Sequence, residues 1–505
     1  MLILHWNPEV ISGFPFKSPA MAIPFFRLLN LLIGVLLISP LGAQPLNLGN
    51  KREIFVDYYL LDKLSNVNLV LQKPIDEGIA FHFDKPWETL SPAYITVIND
   101  NGLYRAYYRA GRKGADLKAY TNEEWTCYAE SKDGVTWIKP NLGLFEFEGS
   151  KANNIVLAGE APAHHNFSPF IDQNPNAPAS QRYKALGGTT RDSVGLVPYY
   201  SADGIHWKKL TTKRGIYKGA FDSQNVAFWS ESEKQYICYF RTFKTIDGKR
   251  IRTISRSTSP DFVNWTEPVE MSYGNTPPEH LYIQQTSPYF RAPHIYVAIG
   301  ARLLPDQQIG TDEQYARLGV AKSQYKGSSE PFFMTTRGGS VYDRTFMESF
   351  IKPGIGLNNW SARTNYPALN VVQTGETEMS LYVNQDYTQP TSHLRRYSMR
   401  LDGFTSLTAP YAGGTATTRT FTFQGNELEI NYATAAAGVI RIEIQDQNGK
   451  PIPGYTLNDA DPIIGNEIRR SVTWKGKSDV GSLSGKQIKL HITMKDADLY
   501  SLKFN

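Results

Sequence analysis

Ser131-Lys-Asp-Gly-Val-Thr-Trp137 and Ser201-Ala-Asp-Gly-Ile-His-Trp207 are two copies of one corner, and their recurrence decides how the chain folds. Each copy ends a strand-like run. Its Asp can accept hydrogen bonds from the backbone just ahead, its Gly supplies a positive φ, and its Trp packs over the hairpin end. Looser copies follow at Ser257-Thr-Ser-Pro-Asp-Phe-Val-Asn-Trp265, Thr336-Arg-Gly-Gly-Ser-Val-Tyr-Asp-Arg344 and Arg400-Leu-Asp-Gly-Phe404. The starts lie roughly 55 to 80 residues apart, about the length of one four-stranded sheet with its loops, and that period is the signature of a propeller. The copies predict five blades around an axial funnel, where such a protein does its work.

Between corners the repeat reads as an inner strand, a turn, a Tyr-rich second strand and a third strand. Ser91–Val97 leads through Asn99-Asp-Asn-Gly102 into Leu103–Arg109, a hairpin signal. Phe221–Trp229 and Gln235–Phe240 read alike, as do Gln285–Phe290 and His294–Ile299, with Glu378–Val383 taken as the inner strand of the last blade. The apolar period is two throughout, and long helical patterns are absent. The stretch 408–418 is small, polar and Gly-rich, as linkers are, and the short alternating strands beyond it predict a separate β-sandwich. The expected fold is all-β: a propeller over 44–407, a linker over 408–418 and a sandwich over 419–505. The strand-like region 50–73 is expected to help close the ring.

Composition narrows the function. Of 505 residues, 41% are hydrophobic and 12% aromatic, enough for a large core with aromatic faces left over for stacking sugar rings. The net charge of +5, without a basic run or charged tail, gives no reason to expect nucleic acid or an acidic membrane as partner. Arg27, the apolar run Leu28–Leu41 and Gly42-Ala43-Gln44 form an export signal with cleavage expected after Ala43. The expectation is an exported, monomeric protein, periplasmic or extracellular, with no membrane span once the signal is removed. Cys127 and Cys238 are expected to be buried free thiols. Metal-ligand spacing, a nucleophile elbow and a phosphate loop are not found, so no cofactor and no metal is expected.

A propeller followed by a sandwich resembles the five-bladed glycoside hydrolases of families 32 and 43, and among their relatives a group of exported proteins of unestablished activity. The resemblance implies an Asp on the first blade, another Asp on the second or third and a Glu on a later one, each at the head of an inner strand. Asp222, in Phe-Asp-Ser-Gln-Asn, matches such an Asp. Where the family has Asp-Pro this chain has Ser91-Pro92, and where a Glu precedes Pro it has Thr286-Ser287-Pro288.

Glycoside cleavage needs two carboxyl groups across one bond, one protonated and one ionised. The candidates are Asp222, Glu378, Glu279 and Glu88, with Asp222 as base or nucleophile and Glu378 or Glu279 as acid. Arg291, His294, His165, Asn166 and Arg363 are candidates for holding a carbohydrate, and the arginines suit an acidic or sulfated one. Asp57 reads as structural. The alternative is a propeller that binds a glycan without cleaving it, having lost the usual carboxylates.

Overall fold

A computed structural model of the chain describes residues 44–88, 92–111, 123–189, 195–211 and 215–505. The export signal and Ser91 lie outside these residues. At the first corner Asp133 Oδ1 accepts from the N–H of Val135 (2.8 Å) and Thr136 (2.7 Å), Ser131 Oγ accepts from Gly134 N (2.9 Å), and Trp137 Nε1 donates to Gly134 O (3.2 Å). The same bonds recur around Asp203 and Trp207. The third copy is geometrically as tight as these, in the register Ser259, Asp261, Trp265; Phe262 takes the glycine position at φ 66°. The last two copies are turns of another kind. Arg337 pairs with Glu53 and Asp57, and Asp402 is buried beside Arg52 and Arg291.

Corners seat on the preceding blade. Tyr107 Oη donates to Gly204 O (2.9 Å), and Tyr382 donates to Gly134 O in the same way. Trp207 meets Tyr107 edge-on at 6.2 Å, and Trp137 meets Tyr382 at 5.7 Å. Both tyrosines lie in second strands, so the Tyr-rich strand and the glycine corner are halves of one interblade lock that also satisfies a buried hydroxyl.

Five antiparallel sheets form the ring. The first is Ala93–Asp100, Leu103–Gly111 and Glu124–Ser131, flanked by Trp137–Ile138 and Ile155–Leu157. The second is Ser168–Ile171, Tyr183–Gly187, Val197–Ser201 and Lys208–Lys209, and the third Val226–Ser230, Gln235–Ile246, Lys249–Ser259 and Val269–Glu270. The fourth is Thr286–Tyr289, Ala292–Leu304 and Ser328–Thr336, with Leu281–Ile283 on its central strand. In the fifth, the short inner pieces Tyr366–Pro367 and Val372–Gln373 pair with Glu378–Gln385, followed by His393–Arg400 and, on the outside, Ile75–His82. Ring closure therefore comes from Ile75–His82 and not from 50–73. At the axis Gln224 donates to Ile95 O and Thr96 Oγ1, and Gln285 donates to Gln224 Oε1 and Pro367 O, tying inner segments of four blades together.

The region 50–73 instead enters the second sheet system. Glu53–Ile54 pairs with Ile488–Phe504, Leu61–Ser65 with Gly414–Thr418, and Asn68–Leu71 with Thr405–Ala409. The expected linker 408–418 thus carries strands, because its threonines are β-formers and its small side chains fit between layers. The separate short strands expected beyond it merge into two long ones, Leu428–Asp446 and Ile488–Phe504, whose pairing shifts register between Thr434 and Val439. This is a C-terminal β-sandwich built with N-terminal strands, and its core (Ile430, Ile442, Leu490, Ile492) is continuous with Val297, Phe333 and Leu381 of the propeller. Cys127 and Cys238 are buried and free, as expected. Among the described residues no helix is long and apolar enough to cross a membrane.

Candidate active site

In an antiparallel hairpin the head of the first strand lies beside the tail of the second, so both reach the same mouth of the ring. Ala93 pairs with Arg109 and Gly111 with Glu124 in the first blade, which brings Tyr94, Arg109 and Glu124 to one end. In the third blade the long hairpin runs past the inner strand and carries Arg241 and Arg252. In the fifth, Tyr366 pairs with Asn384, with Tyr387 just beyond.

Asp222 is held at this mouth by its neighbours. The carbonyls of Phe221 and Ser223 on either side of it both lie within hydrogen-bond reach of Asn166 Nδ2 (2.6 and 2.9 Å), and Ser223 Oγ donates to Tyr282 O (2.8 Å). The fully buried Asn166 is therefore a support for the Asp222 loop and not a substrate contact. The Asp222 side chain itself is 40% exposed.

A chain of polar contacts runs inward from it. Asp222 Oδ1 lies 3.3 Å from His165 Nε2, and His165 Nδ1 lies 2.8 Å from Glu124 Oε2. Arg109 Nη1 stands 3.0 Å from His165 Nε2, while its Nη2 donates to Tyr387 Oη (3.0 Å). Tyr94 closes the cluster, edge-on to His165 at 5.7 Å and under the Arg109 guanidinium at 4.7 Å, in a left-handed conformation (φ 54°). Burial works to raise the Glu124 carboxyl, but the His165 hydrogen bond and the charges of His165 and Arg109 outweigh it and hold the group below its ordinary range. Burial pushes the Tyr94 phenol well up, so it is a donor and not an anion.

Arg109 can only donate, so the placement that satisfies these contacts has His165 neutral, with Nδ1–H donated to Glu124 and Nε2 accepting from Arg109. The Asp222 carboxyl stands open to solvent beside this imidazole, so a group able to give or take a proton at a bound molecule lies at the mouth. Arg363 also belongs here, with Cζ 5.5 Å from the Tyr282 ring.

The other sequence candidates lie elsewhere. Glu378 begins a second strand, not an inner one, and pairs with Arg396 (2.9 Å). Glu279 joins Arg302 (2.7 Å) and Arg344 (3.0 Å). Glu88 is fully buried between Lys139 (2.6 Å) and Tyr108 Oη (2.6 Å). Arg291 and His294 sit at the far end of the fourth blade, beside Asp402 and Glu53 of the contact with the second sheet system. Asp57, paired with Arg337, is structural as expected. Tyr94, Arg109, Glu124, Arg241 and Tyr282 were not candidates. Arg109 and Arg241 lie toward the tail of a second strand and Glu124 at the head of a third, a signal that becomes readable once the hairpins are in register, whereas Tyr94 heads the first inner strand and Tyr282 lies in Leu281–Ile283.

No family model matches the chain, and no curated protein matches it. Among solved structures, one described as a glycoside hydrolase has a TM-score of 0.41 at 10% identity, over 65% of this chain and 92% of its own. An N-acetylgalactosamine deacetylase from F. plautii, in complex with blood group B trisaccharide, has a TM-score of 0.40 at 14% identity, over 66% and 96%. A family 43 arabinoxylan arabinofuranohydrolase from Bacillus subtilis, in complex with cellotetraose, has a TM-score of 0.39 at 11% identity, over 86% and 99%. Likeness at this level assigns neither residues nor a reaction to this chain.

Proposed function

We propose that this is a glycan-active propeller that cleaves a glycosidic bond at the funnel mouth, with Asp222 and His165 handling the proton. The observation that carries the reading is the exposed Asp222 carboxyl backed by a buried His165–Glu124 pair in a ring of tyrosines and arginines. Asp222 would take a proton from water as its oxygen bonds to the anomeric carbon, or attack that carbon itself and be released by water. The glycosidic C–O bond would break with the departing oxygen taking its proton from solvent at the open mouth, and Glu124 would hold the imidazole in place. Phenols and guanidinium groups at the same mouth are suited to sugar hydroxyls. The order of charged, apolar and small residues from Arg27 to Ala43 supports work outside the cytoplasm.

A second reading, glycan binding without cleavage, is favoured by one observation. Glu88, Glu279 and Glu378 are all committed to cations away from Asp222, so none of them stands across the mouth as a partner acid. A panel of aryl glycosides and plant or marine polysaccharides, incubated with wild type and Asp222→Asn, separates the two. Cleavage by wild type alone supports the enzyme. Binding by both proteins with equal, background release establishes the binding module.

A further inference from the structure

Tyr282 is surrounded by arginines. The Cζ atoms of Arg241, Arg252 and Arg363 lie 5.0, 5.3 and 5.5 Å from its ring centre. Arg241 is 6% exposed, and the other two are partly buried. Other buried guanidinium groups of the protein are paired with carboxylates, among them Arg52 with Glu429, Arg256 with Glu233 and Arg344 with Glu279. Among the described residues, none of the three around Tyr282 has a carboxylate oxygen within 4.0 Å. The Nε atoms of Arg241 and Arg252 and the hydroxyl of Tyr366 are buried without a hydrogen-bond partner. Arg252 reaches only an imidazole, His280 Nδ1, at 3.2 Å.

Such a cluster is costly. Like charges gathered around one ring repel, and burial removes the water that would screen them. At Arg252, burial first and then the charges of Arg241 and Arg363 draw the guanidinium below its usual range, while Arg241 and Arg363 lie above theirs. An oxyanion with several acceptor oxygens would offset both costs, because guanidinium forks match carboxylate and sulfate geometry.

We propose that Arg241, Arg252 and Arg363 form a subsite for an oxyanion carried by the glycan, a uronate carboxylate or a sulfate ester, beside Asp222. The inference rests on the reading of the funnel as a glycan site and names its substrate class. Ser223, the neighbour of Asp222, donates to Tyr282 O at 2.8 Å, so an anionic group held around Tyr282 would sit next to the Asp222–His165 pair. A neutral glycan would leave the arginines as they are.

The test is equilibrium binding of the full chain to three oligosaccharide sets: oligogalacturonates (carboxylate only), sulfated galactan oligosaccharides (sulfate only) and neutral arabino- and xylo-oligosaccharides. One anionic set should bind at least tenfold more tightly than the neutral one, with affinity falling as sodium chloride rises. Arg241→Gln and Arg363→Gln should each weaken that binding at least tenfold. Arg250→Gln, an exposed arginine stacked on Phe243 at 3.6 Å, should leave it unchanged. The salt dependence of wild type needs no variant, and it stands even where an arginine variant does not fold. Equal affinity for neutral and anionic sets, loss by Arg250→Gln equal to that by Arg241→Gln, or no binding to any set would each overturn the subsite. Preferred binding of a neutral set, cleaved in an Asp222-dependent way, sinks the subsite and leaves the proposed function standing. Arginine-dependent anion binding without cleavage does the reverse.

Discussion

Gly204→Ala tests whether the corner repeat holds the ring together. Gly204 has φ 76°, and an added Cβ would lie 2.7 Å from Tyr107 Oη, the hydroxyl that donates to Gly204 O. The left-handed backbone alone costs alanine about 1–2 kcal/mol. Loss of the Tyr107 bond and displacement of a fully buried ring add about 1–2 kcal/mol, for about 2–4 kcal/mol in all. Gly102 is the control: its φ is 92° and nothing lies within 4 Å of an added Cβ, so Gly102→Ala should cost only the backbone contribution. A double-mutant cycle isolates the contact. In a Tyr107→Phe background the hydroxyl is gone, and Gly204→Ala should cost less than in wild type but still more than Gly102→Ala, because Tyr183 Cε1 remains 3.2 Å from the added Cβ. The assay is equilibrium urea unfolding followed by tryptophan fluorescence, with Trp207 lying edge-on to Tyr107 as the local reporter. Equal costs for Gly204→Ala in both backgrounds would refute the reasoning, since the corner would then not be seated on the neighbouring blade.

Two further predictions concern the acids. Backbone hydrogen bonds from Thr136 and Val135 lower the Asp133 carboxyl from its ordinary value to about 2. A depressed folded-state value contributes stability present above the unfolded value and lost as pH falls through the folded one, so the loss falls between about pH 4 and pH 2. The urea midpoint of Asp133→Asn should fall less over that window than that of wild type; parallel falls would contradict the corner assignment. Glu279→Gln leaves the buried Arg344 without its carboxylate, while Arg302 keeps Glu330, and should cost about 3 kcal/mol of stability while leaving glycan binding by the folded protein unchanged. Weaker binding at unchanged stability would return Glu279 to the site.

What could be read from the chain follows the range of the interactions. The Ser-Asp-Gly-Trp corner is local, and its bonds span at most three residues, so its copies announced the blades. Asp222 and His165 were legible because they precede inner strands. Glu124, Arg109 and Arg241 were not, since they meet Asp222 only through hairpin register and ring closure. The fifth blade is hard to read for a different reason: its inner segments, Tyr366–Pro367 and Val372–Gln373, are two residues each and show no alternation, so by pattern Glu378 reads as a strand head on the axis. The closing strand Ile75–His82 begins Ile-Asp-Glu-Gly and is mostly exposed, so it lacks the apolar pattern that marks a strand. The threonine-rich stretch at 414–418 reads as a linker by composition and is a strand by pairing across the molecule.

The central claim is that a glycan meets its reacting group at the funnel mouth, against Asp222. The direct measurement is a crystal structure of Asp222→Asn soaked with an oligosaccharide that the wild type binds. The sugar is predicted to lie with a glycosidic oxygen or anomeric carbon about 3–4 Å from the side chain at position 222, with His165 still between it and Glu124. A sugar bound instead in the 590 Å³ cavity at the opposite end of the inner strands, beside Trp229 and Phe290, would contradict it.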